Sequence, residues 1–252
     1  MTFVQPILVV LFLTFSGIVI ANAKDAAPND SALLDRPDAI QHVAAKTPTD
    51  PVGALSCSYY KDLMVRETDT QTPAPGDATL FAIAAGSVRP SCDIAGNAGA
   101  VPMKTASFTF IGRKGPVLLF RETRPNGAAA FLIIDAVDGR SLYQDSKFGD
   151  GFRFVSATPK GDHLRYIRGV NGSCSLYKEG PACWAKMMNE GKIPRVMAQA
   201  QPSVQVCGTA YRQLNVSADV PSIVYYEVDV TIVRSGKVRV NFRGPTNCAP
   251  LP

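Results

Sequence analysis

Few side chains in this sequence are suited to chemistry. Of its 252 residues two are His and six are Cys. His42 falls in an Ala-, Asp- and Pro-rich stretch, so a His-based metal site or a Ser/His/Asp triad would have to use His163, in "KGDHLRY". That position reads most simply as a half-exposed strand start. Gly-x-Ser-x-Gly, His-Glu-x-x-His and phosphate-cradling Gly loops do not occur. The expectation is therefore no cofactor, no metal and no catalytic residue with a specific signature.

Paired carboxylates are the remaining route to acid–base work. Glu227 and Asp229 stand at alternate positions of one strand, on one face, but basic and amide residues of the next strand fall opposite them and favour a cross-strand polar face. Asp135 and Asp138 in "IIDAVDGR" flank a Gly turn, where Asp bonds its own backbone. "DSKFGDG" offers Asp145 and Asp150 to a cation, but Lys147 stands between them and the EF-hand spacing is absent.

A denser feature is cationic. Arg234, Lys237, Arg239 and Arg243 crowd the last hairpin, and the alternation of Lys237, Arg239, Asn241 and Arg243 puts them on one strand face. Net charge runs −2 over residues 24–56, 0 over 57–146 and +7 over 147–252. A basic C-terminal half suits an anionic polymer or an acidic protein. Charge on a strand also guards an edge against unwanted pairing. Nucleic acid is not expected, because stacking aromatics are not interleaved with the basic residues.

The six cysteines take their meaning from compartment. Residues 1–23 carry no charged side chain, and the apolar run Ile7–Ala21 leads to Ala21-Asn22-Ala23, the small-x-small pattern of a signal peptide. The chain is thus expected to be periplasmic or secreted, with a cleaved signal or one retained as an anchor. An oxidising compartment favours disulfides, and spacing favours pairing in chain order: Cys57 with Cys92, Cys174 with Cys183, Cys207 with Cys248. Cys174 and Cys183, nine positions apart around Lys178 and Glu179, would face each other in a hairpin. The lone Trp, Trp184, would then point to the opposite face and anchor that hairpin to the core. The sequons at Asn29, Asn171 and Asn215 matter only in a host that glycosylates exported proteins.

These residues must be positioned mainly by strands. Residues 24–54 read as a flexible tether with a short helix over Pro37–Lys46. Beyond it, short β-branched and aromatic runs alternate with Gly, Pro, Asn and Asp, giving expected strands from 57–66 through 237–243, among them 173–178, 182–188 and 203–215. "CWAKMMNEGKIP" is the main stretch with an alternative, a turn or two of helix. In "YYEVDVTIVRSGKVRVNFRG" a three-residue loop with Gly236 left-handed sets Ile232, Val230 and Val228 opposite Val238, Val240 and Phe242. A two-residue loop would mix core and solvent faces.

Two middle segments, "SFTFIGRKGPVLLFRETRPNGAAAFLIIDAVDGRSLYQD" and "FRFVSATPKGDHLRYIRGVNGSCSLYKEGPACWAKM", each read as four strands separated by turns. Each resembles a β-propeller blade, "SATPKGDHLRY" being similar to a recurrent blade turn with Thr-Pro-Lys-Gly in its place. A propeller needs at least about four blades, and the rest of the chain does not repeat the pattern. The expected fold is accordingly mainly β: an antiparallel, propeller-blade-like meander over 55–195 and a small sandwich-like unit over 196–252, bridged by disulfides. Two functions fit. One is a non-catalytic exported protein that binds an envelope or extracellular partner through its basic C-terminal face. The other is an exported hydrolase drawing acid–base residues from Asp145, Asp150, Asp162, His163, Glu227 and Asp229.

Overall fold

The structure, a computed structural model, describes residues 34–45, 53–69, 78–94, 99–105, 107–122, 127–149, 152–158 and 160–252. The expected signal segment 1–23, Asn29 and Asp150 lie outside them. The described chain is mainly β and wholly antiparallel, in a five-stranded and an eight-stranded sheet. No helix among the described residues is long and apolar enough to cross a membrane.

The first sheet is a simple meander, β1 (Ala39–Val43), β2 (Ala54–Tyr59), β3 (Leu63–Asp69), β4 (Thr79–Ala82) and β5 (Ala100–Pro102), in that spatial order. Strict alternation in β2, where Leu55, Cys57 and Tyr59 are buried and Ala54, Ser56 and Ser58 are not, fixes its register. β1 occupies the place where a short helix was expected. Its Ala39 and Val43 pack on the first sheet while His42 lies exposed opposite Ser56. Residues 34–45 are therefore docked rather than tethering. The backbone of Asp35 bonds Arg113, and its carboxylate accepts from the N–H of Gly115 at 2.6 Å.

The second sheet comprises β6 (Phe108–Lys114), β7 (Val117–Glu122), β8 (Ala129–Asp135), β9 (Ser141–Lys147), β10 (Arg153–Thr158), β11 (Gly161–Asn171), β12 (Ser222–Val233) and β13 (Val238–Pro250). Its order is β13-β12-β11-β9-β8-β7-β6, and β10 pairs with β11 on the edge shared with β9. β12 and β13 thus continue the sheet of the middle strands, so the boundary expected at 195/196 does not separate two sheets. Leu118, Phe120, Leu132 and Ile134 on one face meet Leu63, Val65 and Leu80 of the first sheet, and Met103 just beyond β5, making a sandwich. The opposite face curls on itself. One buried cluster joins Val117, Leu119, Phe131 and Ile133 to Leu164, Tyr166, Val228, Val230 and Ile232. The curl does not close, since among the described residues β6 and β13 pair with no common strand and end the sheet, β6 receiving only the single bridge from Asp35 to Arg113.

Helices cap this curled half: two of the expected strands are in fact helical, and 182–188 takes the helix that was its alternative. Residues 173–178 and 182–188 contribute α1 (Leu176–Glu179) and α2 (Pro181–Asn189), and 203–215 contributes α3 (Val204–Gln213). "KEGP" is a junction between helices instead of a hairpin turn. Ser175 caps α1 by accepting from the N–H of Lys178, Gly180 at φ +51° ends it, and Pro181 starts α2. Ser203 caps α3, whose Cys207 and Tyr211, four apart, face inward. Trp184 is buried on α2 and its indole N–H donates to the carbonyl of Ala198 at 3.1 Å.

The three disulfides pair in chain order, as their spacing suggested. Cys57–Cys92 pins a loop over the first sheet, Cys174–Cys183 joins the entry of α1 to α2, and Cys207–Cys248 ties α3 to β13. Loop-closure entropy grows with the residues spanned, so separations of 35 and 41 outrank one of 9. Replacing Cys174 and Cys183 by Ser is expected to cost roughly 2–3 kcal/mol, and opening either long bridge roughly 4 kcal/mol. Urea unfolding followed by Trp184 fluorescence checks that order.

Candidate binding surface

The outward face of β10–β13 is built by register. The β12–β13 loop is Arg234-Ser235-Gly236: the N–H of Gly236 donates to the carbonyl of Val233, Gly236 sits at φ +85°, and the N–H of Val233 donates to the carbonyl of Lys237. From there the ladder runs Ile232 with Val238, Thr231 with Arg239, Val230 with Val240, Asp229 with Asn241, Val228 with Phe242 and Glu227 with Arg243. Val228, Val230 and Ile232 are therefore buried in the core with Val240 and Phe242 half-buried beside them, and the polar set lies on the opposite face. β11 adds His163 beside Thr231 and Arg165 beside Asp229, while β10 adds Arg153 beside Arg165.

This face carries Arg153, Arg165, Lys237, Arg239 and Arg243 against Glu227 and Asp229, an excess of three positive charges. The acids are consumed locally. Asp229, 6% exposed at its side chain, accepts from Arg165 Nε at 2.8 Å, pairs with Arg243, and lies 3.6 Å from His163 Nε2. Hydrogen bonding by Arg165 holds the Asp229 carboxyl below its usual range, despite the opposing effect of burial. Glu227 lies 3.4 Å from the same guanidinium. Lys237 and Arg239 are exposed and take no ion pair among the described residues.

Of the four cations singled out from the sequence, the structure places Lys237, Arg239 and Arg243 together on this face. Arg234 lies in the loop and turns inward. Its Nη2 donates to Asp162 Oδ1 at 2.9 Å and to the carbonyl of Thr158 at 3.2 Å, leaving the side chain 18% exposed. The Arg234 carbonyl accepts from Arg140 at 3.1 Å, which latches the hairpin tip to the β8–β9 turn.

The other acids are spread through the fold. Asp145, on the inner face, accepts from Tyr143 Oη at 2.7 Å and from Tyr166 Oη, and lies 2.9 Å from Arg168 Nε. Burial, and then the Asp145 charge, push both tyrosine hydroxyls well above their ordinary range. Asp135 and Asp138 accept from the backbone N–H groups of Val137 and Arg140 as turn residues do. Among the described residues no group of three or more His, Cys, Asp or Glu is arranged to hold a metal ion.

A shallow groove borders the basic face. It has a volume of about 480 Å3 and lies between β13, at Val240, Asn241, Phe242 and Gly244, and the segment holding Val196, Met197 and Ala200. No local spacing announces it, because its far wall is a 3-10 turn (Arg195–Met197) more than 40 positions away. No family model, curated protein or solved structure matches the chain.

Asp162 provides a test of the buried pair behind the hairpin tip. Its side chain is fully buried, one carboxylate oxygen finds no hydrogen-bond partner among the described residues, and burial raises its pKa from 3.8 to about 6 against the pull of Arg234. Between those two values the folded protein holds a proton that the unfolded chain has released, so stability falls as pH rises. Relative to Asp162→Asn, the wild type is expected to lose roughly 1–3 kcal/mol between about pH 4 and pH 6 and to stay level above. Paired urea titrations across that range measure the difference.

Proposed function

We propose that this is a non-catalytic partner-binding protein of the periplasm or extracellular space, and that its outward β10–β13 face engages an anionic partner. The observation that carries this reading is the unpaired charge of Lys237 and Arg239 on a face where every acid is already matched by arginine. Cations in that position keep their full field for a partner and lose little existing bonding when one arrives. Three disulfides and no free cysteine among the described residues suit an oxidising compartment. A hydrolase drawing on Asp145, Asp162, His163, Glu227 and Asp229 has less behind it. Asp145 and Asp162 sit in separate buried ion pairs, and Glu227 and Asp229 are both held by Arg165.

Immobilised heparin serves as the polyanion probe. Lys237→Ser/Arg239→Ser/Arg243→Ser is expected to elute at clearly lower salt than wild type, and a control with Ser at the exposed positions Lys104, Lys186 and Arg212 is expected to shift much less. Equal shifts would mean that retention reports net charge alone, and the basic face would lose its claim.

A further inference from the structure

The same hairpin presents a second chemistry at its margin, and we infer that the β13 edge accepts an added strand from an acidic partner protein. β13 is the last strand of its sheet. In an antiparallel ladder, bonded and non-bonded pairs alternate. Counting from the Val233–Lys237 bond, the bonded pairs are Thr231 with Arg239, Asp229 with Asn241 and Glu227 with Arg243. The N–H and C=O groups of Val238, Val240 and Phe242 therefore point away from β12, along the groove walled by Val196, Met197 and Ala200. No backbone hydrogen bond from these three residues to another part of the chain occurs among the described residues.

The edge has definite limits. Beyond Arg243 the strand bulges, with Gly244, Pro245 and Thr246 standing between the Glu227–Arg243 and Tyr225–Asn247 pairs. Pro245 carries no N–H to offer, and the Thr246 hydroxyl donates to the carbonyl of Ala200, closing the groove there. The open stretch is Val238–Phe242, roughly 16 Å of strand.

Charge selects the occupant. This deepens the basic-face reading and rests on it. In an added strand, alternate side chains fall beside Arg239, Asn241 and Arg243, and the others lie over Val240, Phe242 and the 77%-exposed Val196. Acidic residues alternating with apolar ones match both rows. A second copy of this edge fits poorly. Every two-fold register that pairs Val240 with itself or with Phe242 sets Arg243 opposite Lys237 or Arg239, like charges facing across the ladder.

The test uses a short synthetic peptide alternating Glu with Val, the same peptide N-methylated at alternate residues, and the full chain. The unmodified peptide is expected to bind and to slow amide exchange at Val238, Val240 and Phe242, with little change at Arg239 and Asn241. N-methylation, or Val240→Pro in the protein, is expected to weaken binding at least about tenfold. The N–H removed at residue 240 faces outward, so the ladder to β12 keeps its bonds and heparin retention should not change. Failure of the peptide to bind, unchanged affinity after N-methylation, or binding without protection at those amides would overturn strand addition and leave the basic face standing. Equal peptide affinity for wild type and Lys237→Ser/Arg239→Ser/Arg243→Ser would remove charge selection, and with it the acidic partner.

Discussion

The pairing of β11 with β12 is the contact on which the rest of the molecule depends. Its ladder runs unbroken from Gly161 opposite Val233 to Asn171 opposite Ile223. β11 also receives β10 and β9 along its other edge. Without this strand the terminal hairpin would have no sheet to extend, and the middle meander would lose the wall that completes its curl. The closeness of the ladder is visible at Gly161, where a Cβ would stand 2.5 Å from the carbonyl oxygen of Ile232. Any side chain there would push apart the two strands that carry the basic face.

Curling a sheet on itself forces polar side chains into its interior, and the fold handles them with arginine. Asp145 meets Arg168 under two tyrosine hydroxyls, and Asp162 meets Arg234 behind the hairpin tip. Each pair joins separate elements, β9 to β11 and β11 to the β12–β13 loop. Such pairs add little net stability compared with apolar replacements, but removing one partner strands a buried charge. A strand in the wrong register would break such a pair and carry that penalty.

What could be read in the sequence was whatever local spacing determines. The register of β12 and β13 followed from valines at alternate positions and one glycine, and the disulfide order followed from the spacing of the six cysteines. α1 and α3 read as strands, and α2 as a helix only in the alternative, because Val204, Val206 and Tyr211, or Tyr177 and Trp184, carry strand propensity, whereas the deciding signals are single residues: Ser175 and Ser203 as caps, Gly180 and Pro181 as a stop and a start. β1 was missed because its five residues, Ile40 and Val43 among Ala39, Gln41 and His42, lie between Ala- and Pro-rich flanks and owe their conformation to pairing with β2, a tertiary cause. Arg234 could not be told from its neighbours, since its partner Asp162 lies 72 positions away. The groove beside β13 is hidden for the same reason.

The latching of the hairpin tip has a thermodynamic consequence. Arg234 grips Asp162 and Thr158, Arg140 grips the carbonyl of Arg234, and Cys207 holds β13 from beyond the bulge. The exposed stretch between these anchors is kept extended before any partner arrives. An incoming chain must surrender its own backbone freedom, but β13 has already surrendered its share during folding. The backbone order of this margin is thus already complete in the free protein, so anything added along it would have only its own chain left to order.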